Sequence, residues 1–267
     1  MVNHHSAAIT AMDSDTREYK KKKAYFDSLF TVYGRKPVLE ALHANTEPVR
    51  LHLSERNRSA SIIDQIVELA TSKGAEIFYH SAAALSRISK NAKQDQGVAL
   101  DIRCPSFQSL DQFLTAAHSS NCVIALDRVT NPQNLGMIIR SIAASPASAL
   151  LIPKKGCAPL NSLVIKASAG TIFKAPIVQT EDLIETLRSC KKSGFQVVSL
   201  RLDATESALD FQAKVPTIFV LGNETDGVSG EITSLCDTSL RIPMERGIES
   251  LNVAVTAALI AFSADQS

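Results

Sequence analysis

From Leu251 to Ala264 the chain carries no charged residue, and Leu251, Val253, Val255, Leu259, Ile260 and Phe262 fall on every face of a helix. A helix that is apolar all round is a buried one, and this stretch is shorter than the ~20 residues that cross a bilayer. The spacing therefore predicts a helix at the centre of a packed domain, with Ser250 as its N-cap. Ahead of it, Leu240, Arg241 and Ile242 read as a strand end and Pro243 as the start of a loop. Ser250 and Asn252 are the polar side chains of the first turn, beside N–H groups that lack helical partners. On a purely structural reading Ser250 caps and Asn252 is incidental. On the other reading this loop is where chemistry sits.

Around that helix, strand-like and helical runs alternate. CVIAL (122–126), ALLIP (149–153), FQVVSL (195–200) and TIFVLG (217–222) are short apolar runs, with helical stretches at 160–168 and 181–192. That order predicts an α/β fold with a mostly parallel sheet covered by helices, spanning 119–267. A smaller α/β domain is expected at 33–104. It has a helix from Pro37, strands at 49–53, 76–80 and 97–103, a helix through Ile62–Ala70 and another at 82–89. Residues 105–118 read as a linker, although Leu110 to Ala117 also fits a first helix of the larger domain. Residues 1–32 read as a polar arm, and its run Lys20–Lys23 is either a solvated face or a phosphate-binding segment.

Several classes of function are excluded. With 267 residues, 45% of them hydrophobic, the chain buries one large core or two modest ones. No signal-peptide pattern and no membrane span are present. The five cysteines, Cys104, Cys122, Cys157, Cys190 and Cys236, make no CxxC pair and no metal-ligand spacing, which predicts a reduced, cytoplasmic protein. Net charge is +1, and the excess is N-terminal: 5 basic and 4 acidic groups in 1–33, 10 and 8 in 34–104, 13 and 15 in 105–267. Any contact with nucleic acid is therefore built from local patches. All six histidines lie at or before His118, so serine–histidine chemistry and histidine metal sites are not expected in the larger domain.

What remains near the expected strand ends is polar and metal-free. Asn134 is a candidate N-cap after the Asn131-Pro132 turn. Arg140, six residues on, stands among Met137, Ile138, Ile139 and Ile142. It is either at a solvated edge, in a structural ion pair, or held at the ligand-binding edge of the sheet. LGNETDGVSGEI, after the strand at 217–222, is a glycine loop that reads as an ordinary turn or as a cradle of N–H groups. It lacks GxGxxG and GxxxxGK[ST], which disfavours dinucleotide and nucleoside-triphosphate sites. Asn134, Arg140, Glu224, Ser250 and Asn252 together suit orienting a hydroxyl toward a group delivered by a cofactor.

Three segments resemble the motifs of the SpoU/TrmH family of RNA ribose 2′-O-methyltransferases, within the SPOUT class. NPQNLGMIIR matches N-x-G-x-x-x-R through Asn134, Gly136 and Arg140; FVLGNETDGVS matches LG-x-E-x-x-G through Leu221, Gly222, Glu224 and Gly227. IPMERGIESLNVAV matches IPM and SLN through Ile242, Pro243, Met244, Ser250, Leu251 and Asn252, and KASAG (166–170) stands where another signature does. YGRKPVLEAL (33–42) and DQGV (95–98) resemble the family's substrate-binding domain more loosely. The chain departs from the pattern at Ala144-Ser145-Pro146-Ala147, where Phe-Gly is common, and at Thr171, Phe173 and Lys174.

The resemblance implies a trefoil-knotted domain that binds S-adenosylmethionine, a homodimer with active sites near its interface, and RNA, ribosomal rather than transfer, as partner. Neither metal nor membrane is implied. Leu221, Gly222, Gly227, Ile242, Met244, Ser250 and Leu251 would hold the cofactor, and Asn134, Arg140, Glu224, Ser250 and Asn252 would form the reactive cluster. Arg35, Lys36 and Arg140 would touch RNA. An arginine resists deprotonation, so Arg140 is expected to stabilise a developing alkoxide or grip its phosphate rather than act as base. A catalytically inactive RNA-binding homologue acting in ribosome assembly is the alternative.

Overall fold

The computed structural model describes residues 29–57, 61–104, 107–116 and 122–263; Lys20–Lys23, His118 and most of the expected polar arm lie outside these. The chain divides into two compact units, the first running to Cys104 without His43–Asn45, which group with the second. The first contains β1 (Phe30–Tyr33), α1 (Arg35–His43), β2 (Glu47–Ser54), α2 (Ser61–Ser72), β3 (Glu76–His80), α3 (Ala82–Ser89) and β4 (Val98–Arg103). Its strands lie in the order β1-β4-β2-β3, with β4 antiparallel to both neighbours and β2 parallel to β3. Val32, Leu51, Leu53, Leu100 and Ile102 are buried, as are Val38, Ala41, Ile63 and Ile66 of α1 and α2. The arm does not extend to residue 32 as expected, because Phe30 pairs with Ile102 and Val32 with Leu100. Four residues are too few for alternation to distinguish a strand from the end of a polar segment.

The second unit contains β5 (Phe107–Gln108), α4 (Leu110–Thr115), β6 (Cys122–Leu126), α5 (Pro132–Ala144), β7 (Ala149–Pro153), α6 (Ser162–Ala167) and a 3₁₀ turn at Thr171–Phe173. After these come β8 (Ile177–Thr180), α7 (Leu183–Lys192), β9 (Gln196–Leu200), β10 (Glu206–Ser207), β11 (Thr217–Leu221), α8 (Gly230–Thr233), β12 (Thr238–Arg241) and α9 (Val253–Ser263). Its sheet runs β10-β12-β9-β11-β6-β7-β8-β5 with every pairing parallel. All residues of β6, β7 and β11 are buried, as expected of strands covered on both faces. Residues 107–108, expected as linker, add an edge strand to this unit, and Leu110–Thr115 form the first helix that the alternative reading of 110–117 expects. Ser109 and Gln112 close a capping box around the start of α4, and Phe113 is buried against Phe195 with ring centroids 5.4 Å apart. The departures at 144–147 and 171–174 are absorbed locally: Ser145 caps the end of α5, and Ile172 and Phe173 are buried.

The apolar stretch at 251–264 is corrected in two respects. Its helix starts at Val253, and the side chain of Asn252, not Ser250, accepts from the Ala254 N–H at 2.8 Å. The helix is also buried on one side only. Val253, Ala254, Ala257, Ile260 and Ala261 are buried while Val255, Leu259 and Phe262 are 47%, 37% and 49% exposed. The small residues of the buried side let α9 pack closely on α5. Among the described residues no helix is long and apolar enough to cross a membrane.

Candidate active site

Asn131, not Asn134, caps α5: its Oδ1 accepts from the N–H of Gln133 and Asn134 at 2.8 and 3.4 Å, and Pro132 takes the first helical position. Asn134 is thereby a buried residue of the first turn, free to use its amide elsewhere. Asn252 Nδ2 donates to Asn134 Oδ1 at 3.0 Å, and Asn134 Nδ2 donates to Glu224 Oε1. The orientation of this chain follows from α9. Asn252 turns its oxygen to the Ala254 N–H as helix cap, so its NH₂ faces Asn134. Asn134 must then answer with its oxygen and point its own NH₂ at the carboxylate. One helix cap fixes the direction of both amides.

Glu224 is carried by the loop that follows β11. Gly222 is required there for steric reasons: a Cβ on it would lie 1.9 Å from the Gly227 carbonyl carbon and 2.2 Å from the Val228 nitrogen. Gly227 closes the loop with a left-handed φ of +65°, its N–H on the Asn223 carbonyl at 3.1 Å. Within the loop Asn223 Oδ1 accepts from Thr225 and Asp226 N–H at 3.0 and 2.6 Å. From the end of β6, buried Asp127 accepts the Ser229 N–H at 2.7 Å, and Arg128 donates to the Gly227 carbonyl at 3.0 Å and to Asp226 at 3.3 Å. Sequence reading passed over Asp127 and Arg128; an acid–base pair directly after a buried strand was the available signal. Gly136 has a packing role too, since a Cβ there would meet the Ala167 Cβ at 2.3 Å. The KASAG segment and α5 therefore approach one another through that glycine.

Beside the cluster a cavity of about 340 Å³ opens at the carboxyl ends of β9 and β11. Its lining includes Leu221, Gly222, Glu224, Gly227, Ile242, Met244, Ser250 and Leu251, brought together from the second and third motifs. Leu200–Asp203, after β9, form the part of the wall that sequence reading missed. There Arg201 grips Asp203 through two bonds of 2.8 and 2.7 Å, and hydrogen bonding from Arg201 holds the Asp203 carboxyl below its usual range. This size is ordinary for a small-molecule site. Ile242, Leu251 and Val253 give its lining apolar surface, and Glu224, with the arginine-bound Asp203 and Asp226, gives it carboxylates. Among the described residues no group of three or more His, Cys, Asp or Glu side chains is placed to hold a metal ion.

The structure brings Asn134, Glu224 and Asn252 into one hydrogen-bonded chain, with Ser250 on the wall of the same cavity. It does not bring Arg140 there. Arg140 is exposed on α5, and no ion pair to it occurs among the described residues, so the structural ion-pair alternative falls away. Six residues of helix carry it about 9 Å and most of two turns from Asn134. In the first unit, Arg35 is tied to the Gln96 carbonyl at 3.4 Å and to Asn57 at 3.4 Å, while Lys36 is exposed.

Comparison with known proteins gives the family. Residues 121–262 match the model of the SpoU rRNA Methylase family, and residues 31–108 match that of RNA 2′-O ribose methyltransferase substrate binding. A protein of Mycolicibacterium vanbaalenii named an uncharacterized tRNA/rRNA methyltransferase is 30% identical over 260 residues, 96% of this chain and 82% of that one. One of the same name from Mycobacterium avium is 30% identical over 259 residues, with the same shares of 96% and 82%. Among solved structures, the SpoU methyltransferase AviRb of Streptomyces viridochromogenes, in complex with AdoMet, aligns with a TM-score of 0.62 at 24% identity, covering 89% of each chain. The rRNA methyltransferase of Sinorhizobium meliloti aligns with a TM-score of 0.61 at 23% identity, covering 91% of this chain and 89% of that one. At that identity the two structures speak for the fold alone. The family rests on the match over more than half the chain and on the mycobacterial relatives: this chain is an RNA methyltransferase of the SpoU family.

Proposed function

We propose that the protein transfers a methyl group from S-adenosylmethionine to a ribose 2′-hydroxyl of structured RNA, ribosomal rather than transfer. The observation that carries this reading is the chain Asn252–Asn134–Glu224 at the lip of a cavity with acidic and apolar walls. When bound, the cofactor supplies an electrophilic methyl group on a sulfonium. Its cationic centre would be favoured by Glu224, the lining carboxylate without an arginine partner among the described residues, and its apolar parts by Ile242, Leu251 and Val253. The 2′-oxygen would take that methyl group as the sulfonium becomes a neutral thioether, and the hydroxyl proton would pass to water or to the adjacent RNA phosphate. Asn134 and Asn252 hold Glu224 in one orientation, and Ser250 offers a hydroxyl on the same wall. Such fixed dipoles orient the nucleophile without reorganising during the reaction.

The reading includes a homodimer and a trefoil-knotted path, with action in the cytoplasm, for which the five free cysteines are suited. Val255, Leu259 and Phe262 form a single exposed apolar row on α9, and α9 packs on α5, which exposes Met137. Arg140 follows Met137 by one helical turn, on the same side of α5. In a dimer made through this face, Arg140 serves the site of the partner copy rather than its own. The second reading, an inactive RNA-binding homologue, is disfavoured by the hydrogen-bonded chain at Glu224, which binding alone does not need. Incubation of purified protein with methyl-labelled S-adenosylmethionine and bulk RNA tests the proposal. Label in RNA that is found at the ribose after nuclease digestion is expected; binding of RNA without transfer favours the second reading.

A further inference from the structure

The first unit carries a polar chain that methyl transfer does not use. On one face of its sheet Thr31 donates to Asp101 Oδ1 at 2.7 Å, His52 Nε2 lies 3.1 Å from Asp101 Oδ2, and His52 Nδ1 lies 2.9 Å from His80 Nε2. Strand register makes the arrangement, pairing Asp101 with Thr31 across β1 and β4 and His52 with Phe78 across β2 and β3. His52 and Asp101 are buried, His80 is half-buried, and Phe78 is 39% exposed. The Phe78 ring is stacked with both imidazoles, 5.8 Å from His52 and 6.4 Å from His80, each at 25°.

Proton directions follow from the carboxylate. Burial pushes Asp101 up, but the hydrogen bonds from His52 and Thr31 and the charge of Arg50, its neighbour across β2 and β4, outweigh it, so its carboxyl lies below the usual range. An ionised carboxylate only accepts. In the tautomer that the proposal uses, His52 Nε2–H donates to Asp101 and His80 Nε2–H donates to His52 Nδ1, so every proton along the chain points toward the carboxylate. Burial is the first cause that lowers the pKa of His80, and it favours the neutral ring. His80 Nδ1 is left as a bare acceptor, with no hydrogen bond to it among the described residues. An apolar sheet face would hold these strands together more simply than a buried carboxylate and imidazole. What the polar chain adds is a fixed tautomer beside an exposed aromatic ring.

We propose that Phe78 and His80 form a stacking site for one unpaired base of the RNA substrate, with His80 Nδ1 accepting from an amino or imino N–H on the edge of that base. This rests on the reading of the chain as an RNA methyltransferase, and it lies within the part that matches the substrate-binding family model. Every base has a π-face to stack, and single-stranded RNA is where such faces are free. His52, Asp101 and Thr31 are positioning residues, holding the His80 ring and its tautomer.

The test titrates the full chain with a short single-stranded RNA carrying one 2-aminopurine, reading fluorescence quenching, with melting curves and S-adenosylmethionine calorimetry on each variant. Phe78→Leu and His80→Ala are expected to weaken binding by about 5- to 100-fold and to lose the quench. Tyr79→Ser, on the opposite face of the same strand, is expected to leave both intact; all three should bind cofactor as wild type does, with melting lowered only in His80→Ala, which leaves His52 Nδ1 without its partner. Nitrogen–proton correlation spectra should report a bare His80 Nδ1; a protonated Nδ1 overturns the acceptor role. If wild type binds cofactor and labels RNA while Phe78→Leu binds the probe equally well, the site alone is overturned. Absence of quenching by wild type, or an equal loss in Tyr79→Ser, overturns it also. A wild type that binds neither cofactor nor RNA overturns the functional reading and this site with it.

Discussion

Asn252 Nδ2 and Asn134 Oδ1 meet at 3.0 Å across 118 positions of sequence, and the same Asn252 side chain caps the last helix. The geometry of the reactive cluster is thereby set by a helix terminus and not by the loop alone. Asn134→Ala removes the middle of the chain. Methyl transfer is expected to fall ~100-fold or more, as for loss of one preorganised donor. Stability should fall by about 2–4 kcal/mol for two hydrogen bonds, one of them to a charged group. Single-turnover rates with saturating cofactor, set beside a melting curve, check both.

Gly222 and Gly136 are expected to behave as packing residues. Gly222→Ala puts a methyl group 1.9 Å from the Gly227 backbone, and Gly136→Ala puts one 2.3 Å from Ala167. In neither place is the obstacle a flexible side-chain end, so overpacking should cost about 1–3 kcal/mol or more. Cofactor affinity should fall with Gly222→Ala because the loop carrying Glu224 is displaced. Denaturant unfolding and calorimetry separate the two effects.

The exposed row on α9 predicts assembly. Leu259→Glu with Phe262→Glu should convert a dimer to a soluble monomer in sedimentation, with circular dichroism retained. Arg140→Ala should lower methyl transfer ~100- to 1000-fold with little change in cofactor affinity, and Arg140→Lys should rescue little, lacking the planar fork. If Arg140 acts across the interface, mixing Arg140→Ala with Asn252→Ala chains should restore activity in mixed dimers, where one site is intact. Near-wild-type transfer by the stable Arg140→Ala protein removes it from the mechanism.

Asp101 predicts an acid-side dependence of stability. Its pKa is depressed on folding, so its stabilisation is fully present above the unfolded value of about 3.9 and is lost as pH falls through the lower folded value. Unfolding free energies from neutral pH down to strong acid should decline in that range for wild type. In Asp101→Asn the decline should be smaller and the stability at neutral pH lower.

Much of this was legible because long buried strands announce themselves. CVIAL and ALLIP are apolar throughout and end where β6 and β7 end. The three polar segments were legible for a different reason, a spacing shared with a family. What escaped was decided at short range or by contacts between distant segments. Ser250 and Asn252 are both good caps, and only the hydrogen bond to Asn134 favours the later one. β1 and β5 are short edge strands that gain their form from a neighbour. Arg140 was grouped with Asn134 by a spacing that, on a helix, turns the two side chains to different faces.

The strand order has a consequence for how such a chain is made. β11 lies between β9 and β6, so the central pairings of the larger unit wait for residues 217–221, long after β6 has left the ribosome. Until then the nascent protein holds the β6-β7-β8 half and β9 apart, each with an unpaired apolar edge, the kind of surface that invites aggregation. Such late, long-range closure is slow. Chains ending before Thr217 are therefore expected to be insoluble, and the last fifth of the sequence governs the yield of the whole protein as well as its chemistry.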